Sequence, residues 1–150
     1  MKKTVIVLFM FLFVSTFAQT YEYKIITSVE SIVPAGIGRS RIIDFNTSMD
    51  YAQATVTRNK ENHFKNNKVK RKSLKIDSFD ETKLLNFYSM VGINFQNIAS
   101  NDALVTSKIN AMAKEGWELF LVASGVESDA GKQDGHGIFI TRYIFRRPVK

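Results

Sequence analysis

The residues with the clearest potential for chemistry lie in a short acidic and glycine-rich stretch near the C-terminus. Glu127, Asp129 and Asp134 stand within eight residues, beside Gly131 and Gly135. Carboxylate oxygens are the ligands that Ca²⁺ prefers, but this spacing does not match the helix–loop–helix calcium motif. Asp and Gly are also ordinary turn residues. We therefore interpret the stretch as a loop and expect no metal there.

Nucleophilic catalysis finds no support in the other polar residues. The chain has no cysteine, which excludes thiol nucleophiles, disulfides and cysteine metal sites. Ser124 lacks the GxSxG context of an activated serine, and the GIGRS stretch ending at Ser40 lacks the Gly-Lys of a phosphate-binding loop. His63 and His136 have no second ligand at metal spacing. The sequence therefore predicts no catalytic, cofactor-binding or metal-binding residue and favours a protein that is not an enzyme.

Residues 1–18 have the organisation of a secretory signal peptide. Lys2 and Lys3 precede an almost wholly apolar run at residues 4–14, and Ala18 ends a short polar-to-small stretch. The apolar run is shorter than the span of about 20 residues that a bilayer requires. We predict cleavage before Gln19 and export to the periplasm or out of the cell.

Positive charge is concentrated in one polar segment. Residues 58–75 hold eight of the 21 basic residues and a single acid, Glu61. We define the basic cluster as Lys68, Lys70, Arg71 and Lys72. It predicts a weak contact with an anionic polysaccharide or with lipid headgroups, and no nucleic acid is expected outside the cytoplasm. The alternative is a solvated loop that its Lys and Asn residues keep soluble.

Two strands are predicted at the start of the exported chain. Tyr, Ile and Val alternate with other residues over residues 21–30, and this period of two indicates a half-buried strand. Pro34 and Gly36 then break the run, and residues 39–45 are predicted as a second strand that pairs back on the first. Residues 46–76 are interpreted as a long polar insertion that ends in a short strand at residues 74–76.

Two helices are predicted after the insertion. Ser78 and Glu81 have the spacing of a capping box, and the first helix then runs to Gly92. Its apolar face consists of Leu84, Phe87, Tyr88 and Val91. The second helix is predicted to begin at residues 101–102 and to end at Gly116. Its buried stripe consists of Val105, Ile109 and Met112.

The C-terminal part is predicted as a β-hairpin, with strands at residues 117–126 and 137–147 and a loop at residues 127–136. Neither strand alternates cleanly between apolar and polar residues, so both faces of the hairpin carry large apolar side chains. Soluble monomers seldom leave such a surface in water. We therefore expect a second layer or a partner to cover it, and favour self-association or an envelope protein.

Together these elements predict an α+β fold, an antiparallel sheet of three to four strands with two helices packed mainly on one face. Residues 19–150 are predicted to form a single domain that carries the polar insertion at residues 46–76.

Three short motifs stand near the two ends of the chain: YEYK at residues 21–24, EGWEL at residues 115–119 and RP at residues 147–148. In this order they resemble a small bacterial family known only as a domain of unknown function. The resemblance covers about 60 residues and implies a small α+β fold with no assigned functional residues. Residues 32–101 are much longer than the connection usual in that family. The middle motif also has a structural interpretation, in which Gly116 ends a helix and Trp117 is a core anchor.

These observations favour a non-catalytic interaction or structural module of the bacterial cell envelope. The alternative is a small-ligand-binding or hydrolase-like domain whose pocket the sequence does not reveal. A deep cleft lined by converging polar groups would favour the alternative, whereas a flat apolar sheet face would favour the interaction module.

Overall fold

A computed structural model describes residues 19–31, 33, 38–56, 69–127 and 137–149. This part of the chain contains seven strands and one α-helix. In chain order they are β1 (Tyr21–Ser31), β2 (Ser40–Asp44), β3 (Asp80–Leu84), β4 (Tyr88–Ser89), β5 (Gly92–Ile93), α1 (Phe95–Lys114), β6 (Glu118–Glu127) and β7 (Ile138–Pro148). Two 3-10 turns, Tyr51–Ala54 and Arg71–Leu74, lie in the polar insertion. Within the described ranges no helix is both long and apolar enough to cross a membrane.

Five of the strands form one antiparallel sheet in the order β3-β2-β1-β7-β6. The first and last of the strands, β1 and β7, pair over their whole length in the middle of this sheet. Strands β3 and β6 are its two edges, and β4 and β5 form a separate small hairpin. The predicted strands at residues 21–30 and 39–45 and the predicted C-terminal hairpin are confirmed.

The helix α1 packs on one face of the sheet, and the core lies between them. The buried apolar side chains are Ile26, Ile42, Leu84, Met112 and Phe145. They come from β1, β2, β3, α1 and β7 respectively, and each stabilises the fold by about 1.5–3 kcal/mol if fully buried. None comes from β6, whose large apolar side chains are exposed.

Both ends of α1 have local causes. At the start, Asn94 Oδ1 accepts a hydrogen bond from the Asn97 amide at 3.2 Å. At the end, Gly116 has φ of 84° and its amide bonds the Ala113 carbonyl at 3.0 Å, while the Trp117 amide bonds the Met112 carbonyl at 3.1 Å. The predicted end at Gly116 is therefore confirmed, but the predicted start at residues 101–102 is wrong because the helix already begins at Phe95.

The predicted fold class, an α+β domain with three to four strands and two helices on one face, is wrong. The described residues form a five-stranded sheet, a two-stranded sheet and one α-helix. The segment predicted as the first helix instead holds β3 and the β4–β5 hairpin, and Gly92, with φ of 124°, is the first residue of β5, directly after the turn of that hairpin. The predicted strand at residues 74–76 is also wrong, since the strand begins at Asp80.

Tertiary pairing explains this correction. The strand β3 pairs with β2 from Ser40↔Leu84 to Asp44↔Asp80, so its backbone bonds come from a partner about 40 residues earlier in the chain. Leu84, predicted on the apolar face of a helix, is buried in the core from this strand. A capping box favours a helix by a local contribution only, which this pairing and burial exceed.

Candidate functional site

The face of the sheet opposite α1, which we call the open face, carries an apolar patch. The register places Ile25 opposite Ile144 and Val29 opposite Ile140, in the rows that alternate with the buried Ile26 and Phe145. The six aliphatic members of the patch are Ile25, Val29, Ile43, Leu121, Ile140 and Ile144. Leu121 is exposed and the other five are half-buried, and the core with α1 lies on the opposite face of the sheet. The more apolar row of β1 therefore faces away from the helix.

An aromatic and cationic cluster borders this patch at one end. The Tyr23 and Phe120 rings meet edge to face with centroids 6.0 Å apart. The Arg146 guanidinium lies 4.6 Å from the Phe120 ring centroid and 4.8 Å from that of Tyr21. Its Nε and NH2 donate to the Glu118 carboxylate at 2.9 and 3.3 Å, and the Arg146 hydrogen bond lowers the pKa of Glu118. The cluster is thus a flat, charge-balanced rim beside the apolar patch.

The strand β6 is exposed on both faces. Its pairing places Leu119, Val122 and Val126 on the helix side and Leu121 on the open side. Between Leu119 and Leu121 the register shifts, and Phe120 contacts Tyr23 on the open side. The five large apolar side chains of β6 are between 37% and 61% exposed. The surface that the hairpin pattern predicted is therefore present, and no described layer of this chain covers it.

Buried polar groups near the helix serve the fold. Asn101 is fully buried. Its side-chain Oδ1 accepts a hydrogen bond from the Leu85 backbone amide, and its Nδ2 donates one to the Leu85 carbonyl, both at 2.8 Å. It also donates to Glu30 Oε1 at 3.1 Å, while burial raises the pKa of Glu30. Burial likewise raises the pKa of Tyr143. The void against Tyr143 has a volume of about 10 Å³, which is room for about one water and for no substrate.

A second polar cluster involves Lys108, seven residues after Asn101 on the same helix. Lys108 Nζ is 2.7 Å from Asp44 Oδ2, and Lys24 Nζ is 3.0 Å from Oδ1 and donates to Asn46 Oδ1. Burial would raise the pKa of Asp44, but the two lysines outweigh it and lower that pKa. Both cations contact the carboxylate directly, so this cluster holds α1 to the sheet.

An open groove of about 350 Å³ lies where β2, β3 and the start of α1 meet. Arg39, Arg41 and Lys83 line it. Arg41 Nε is 3.5 Å from Glu81 Oε2, and its NH1 donates to the Ser40 carbonyl at 2.7 Å. The other cations face an open groove, so the arrangement suits a small anion. The sequence interpretation missed this groove because its residues come from three segments.

The residues predicted as sites lie apart from these surfaces or outside the described ranges. Lys70 precedes the turn Arg71–Leu74, and Lys70, Arg71 and Lys72 are exposed with no ion pair to another described residue. Lys68, His63, Asp129, Asp134 and His136 lie outside the described residues, as do residues 1–18. In the part of the chain that the structure covers, no group of three or more His, Cys, Asp or Glu residues is placed to hold a metal.

Comparison with known proteins adds no relative. No family model, no curated protein and no solved structure matches this chain.

Proposed function

We propose that this protein is a non-catalytic interaction module of the bacterial cell envelope that binds a protein partner through the open face and β6. The observation that carries the proposal is the exposure of β6 on both faces, next to the apolar patch. With strand spacings of about 4.8 Å, the patch and its aromatic rim have an area on the order of 300 Å². Contiguous apolar patches of this size on soluble proteins are often functional.

The ionisable groups near the core support a role without catalysis. Glu30 and Asp44 are held by Asn101 and by two lysines, and both arrangements connect α1 to the sheet. A flat apolar face with a balanced Arg–Glu rim suits burial against another protein, because aromatic and arginine side chains are enriched at such interfaces. The resemblance to a family without assigned functional residues is in keeping with this proposal.

Crosslinking in the native envelope tests the proposal. A photoreactive amino acid at Tyr23, which is 58% exposed on the open face, is expected to give discrete protein adducts in cells. The matched control places it at Thr106, which is exposed on the outer side of α1. Adducts that do not depend on the position, or none at Tyr23, would contradict the proposal. The mass of the purified protein tests the export component, since cleavage before Gln19 predicts the loss of residues 1–18.

The groove supports a second candidate function, the binding of a small anionic ligand. Its volume of about 350 Å³ is within the range of ligand pockets, although it is open to solvent. Inorganic phosphate is the simplest probe, and titration calorimetry is the measurement. Lys83→Gln is expected to weaken phosphate binding, whereas Lys114→Gln, on an exposed part of α1, is expected to leave it unchanged. Equal binding by both variants would remove this candidate.

A further inference from the structure

The two edges of the five-stranded sheet differ in how they are protected. The edge strand β3 has the sequence DETKL, with exposed charges at Asp80, Glu81 and Lys83. Charged side chains on an edge oppose pairing with another chain, and natural sheets use them for this purpose. The edge strand β6 has eight consecutive uncharged residues, from Leu119 to Val126, and contains no Lys or Pro. Of the two edges that the described residues form, β6 is therefore the one open to strand addition.

From this difference we infer that β6 pairs antiparallel with β6 of a second copy of the chain, which joins two sheets into one of ten strands. The inference rests on the proposed function and names the partner. A twofold axis normal to the sheet places like faces together. Val122 and Val126 of each copy then lie next to Val126 and Val122 of the other copy, in the exposed row of β6 on the helix side of the sheet.

The register of this pairing follows from the bulge. Regular pairing with β7 runs without interruption from Leu121 to Glu127, and the centre of that segment is Ser124. In an antiparallel pair with a twofold axis, paired residues must lie on the same face, so Ser124 pairs with itself and Val122 with Val126. The residues between Leu121 and Glu127 bring no like charges together. This self-complementarity favours a second copy over an unrelated peptide.

The size of the contact predicts a reversible dimer. A seven-residue ladder is about 24 Å long, and with side chains on both faces it buries on the order of 400 Å² per copy. Stable interfaces bury about 800 Å² per partner, so this one falls among weak, transient contacts. We expect monomer and dimer to exchange in the micromolar concentration range.

The absence of cysteine in the chain permits a direct test. Ser124→Cys places two thiols across the axis, where Cα atoms of paired residues are about 4.5–5.5 Å apart and a disulfide fits. Mild oxidation is expected to give a covalent dimer. Thr82→Cys, in the middle of the charged edge β3, is the matched control and is expected to remain monomeric. Equal oxidation of both variants would overturn the inference.

A charge on the edge gives an independent test. Val122→Lys is expected to weaken the dimer at least tenfold in sedimentation equilibrium, because it would face Val126 of the other copy. Val91→Lys is the matched control, since Val91 is 97% exposed in the β4–β5 turn, and it should dimerise as the wild type does. Thermal unfolding of both variants shows whether they are folded. A dimer unaffected by Val122→Lys would place the contact elsewhere and overturn the inference.

The outcome separates this inference from the proposed function. A protein that stays monomeric at high concentration, and yet forms adducts at Tyr23 in cells, has a different protein as its partner, and only the self-pairing is then wrong. A dimer that forms through Ser124 without adducts at Tyr23 would confine the contact to the edge and remove the open face from the proposed function.

Discussion

Among the uncharged polar residues of α1, Asn101 is expected to contribute most to stability, so Asn101→Ala should be the most destabilising change among them. The Asn101 side chain makes two hydrogen bonds to the Leu85 backbone at 2.8 Å and one to Glu30 at 3.1 Å. The Asn101 side chain thus bonds the Leu85 backbone, directly after the end of β3, as a neighbouring strand would. Ala removes all three bonds and leaves the amide and carbonyl of Leu85 without this partner.

The magnitude follows from these groups. A buried backbone group that loses its partner costs about 1–3 kcal/mol, and Leu85 is 39% exposed, so water reduces each cost to the lower part of that range. With the loss of the Glu30 bond, we expect a decrease of about 3 kcal/mol in the free energy of unfolding. Ala offsets about 0.5 kcal/mol through its higher helix propensity. For a domain of this size the net change lowers the melting temperature by about 10 °C.

The assay is urea and thermal unfolding followed by circular dichroism. Asn110→Ala is the matched control, because Asn110 is exposed on the same helix and the substitution has the same effect on helix propensity. The control is expected to be slightly more stable than the wild type. If Asn101→Ala and Asn110→Ala unfold at the same urea concentration, the buried amide does not hold β3 and α1 together, and this reasoning fails.

Three further predictions concern charges and the core. Asp44→Asn should cost about 2 kcal/mol at pH 7, since two lysines lose a charged partner. The folded-state pKa of Asp44 is lowered below the ordinary value of 3.8. The stability that the Asp44 carboxylate contributes is therefore complete above about pH 4 and is lost as the pH falls through the folded-state pKa. In urea unfolding, the difference in stability between Asp44→Asn and the wild type should thus be smaller at acidic pH. Trp117→Ala should lower the free energy of unfolding by about 3 kcal/mol, because Trp117 packs at the margin of the core under the Arg147 guanidinium. The control Phe95→Ala, which removes an exposed ring, should have the melting temperature of the wild type. Finally, a variant with Gln at the four positions of the basic cluster should lose any salt-sensitive co-sedimentation with anionic vesicles or polysaccharide. Equal binding by this variant and the wild type would exclude the cluster as the contact site.

The elements that could be predicted from the sequence are those whose signal is local. The C-terminal hairpin is visible as two β-rich runs around a polar loop, and Gly116 marks the end of the helix because only its backbone accepts φ of 84° easily. The two-sided apolar pattern of the hairpin predicted a covering layer or partner; the large apolar side chains of β6 are exposed in the structure, and the covering partner stays a prediction.

The errors have one physical cause, which is that distant partners decide between local alternatives. The residues after Ser78 have a local pattern typical of a helix. They form a strand because β2 supplies their backbone hydrogen bonds and α1 already packs on the face where a second helix was predicted. The predicted helix start at residues 101–102 is wrong because Asn101 lies inside α1, where its side chain bonds the backbone of Leu85, 16 residues earlier in the chain. In β1 the alternation gives the strand correctly, but it does not show which row the helix covers.

The central pairing of β1 with β7 has a consequence for the order of events during synthesis. The Arg147–Glu22 hydrogen bond joins residues 125 positions apart, and every pair of the ladder joins residues more than 100 positions apart. The entropic cost of closing such a long loop is incurred before the strands can pair. Folding is therefore expected to be slow and to begin only after the last strand has been made. A chain interrupted before Ile138 lacks the central strand β7 and, with it, Phe145, one of the five buried apolar side chains of the described core. We expect such a chain to stay unfolded until β7 has been made, which would be compatible with the export that we propose.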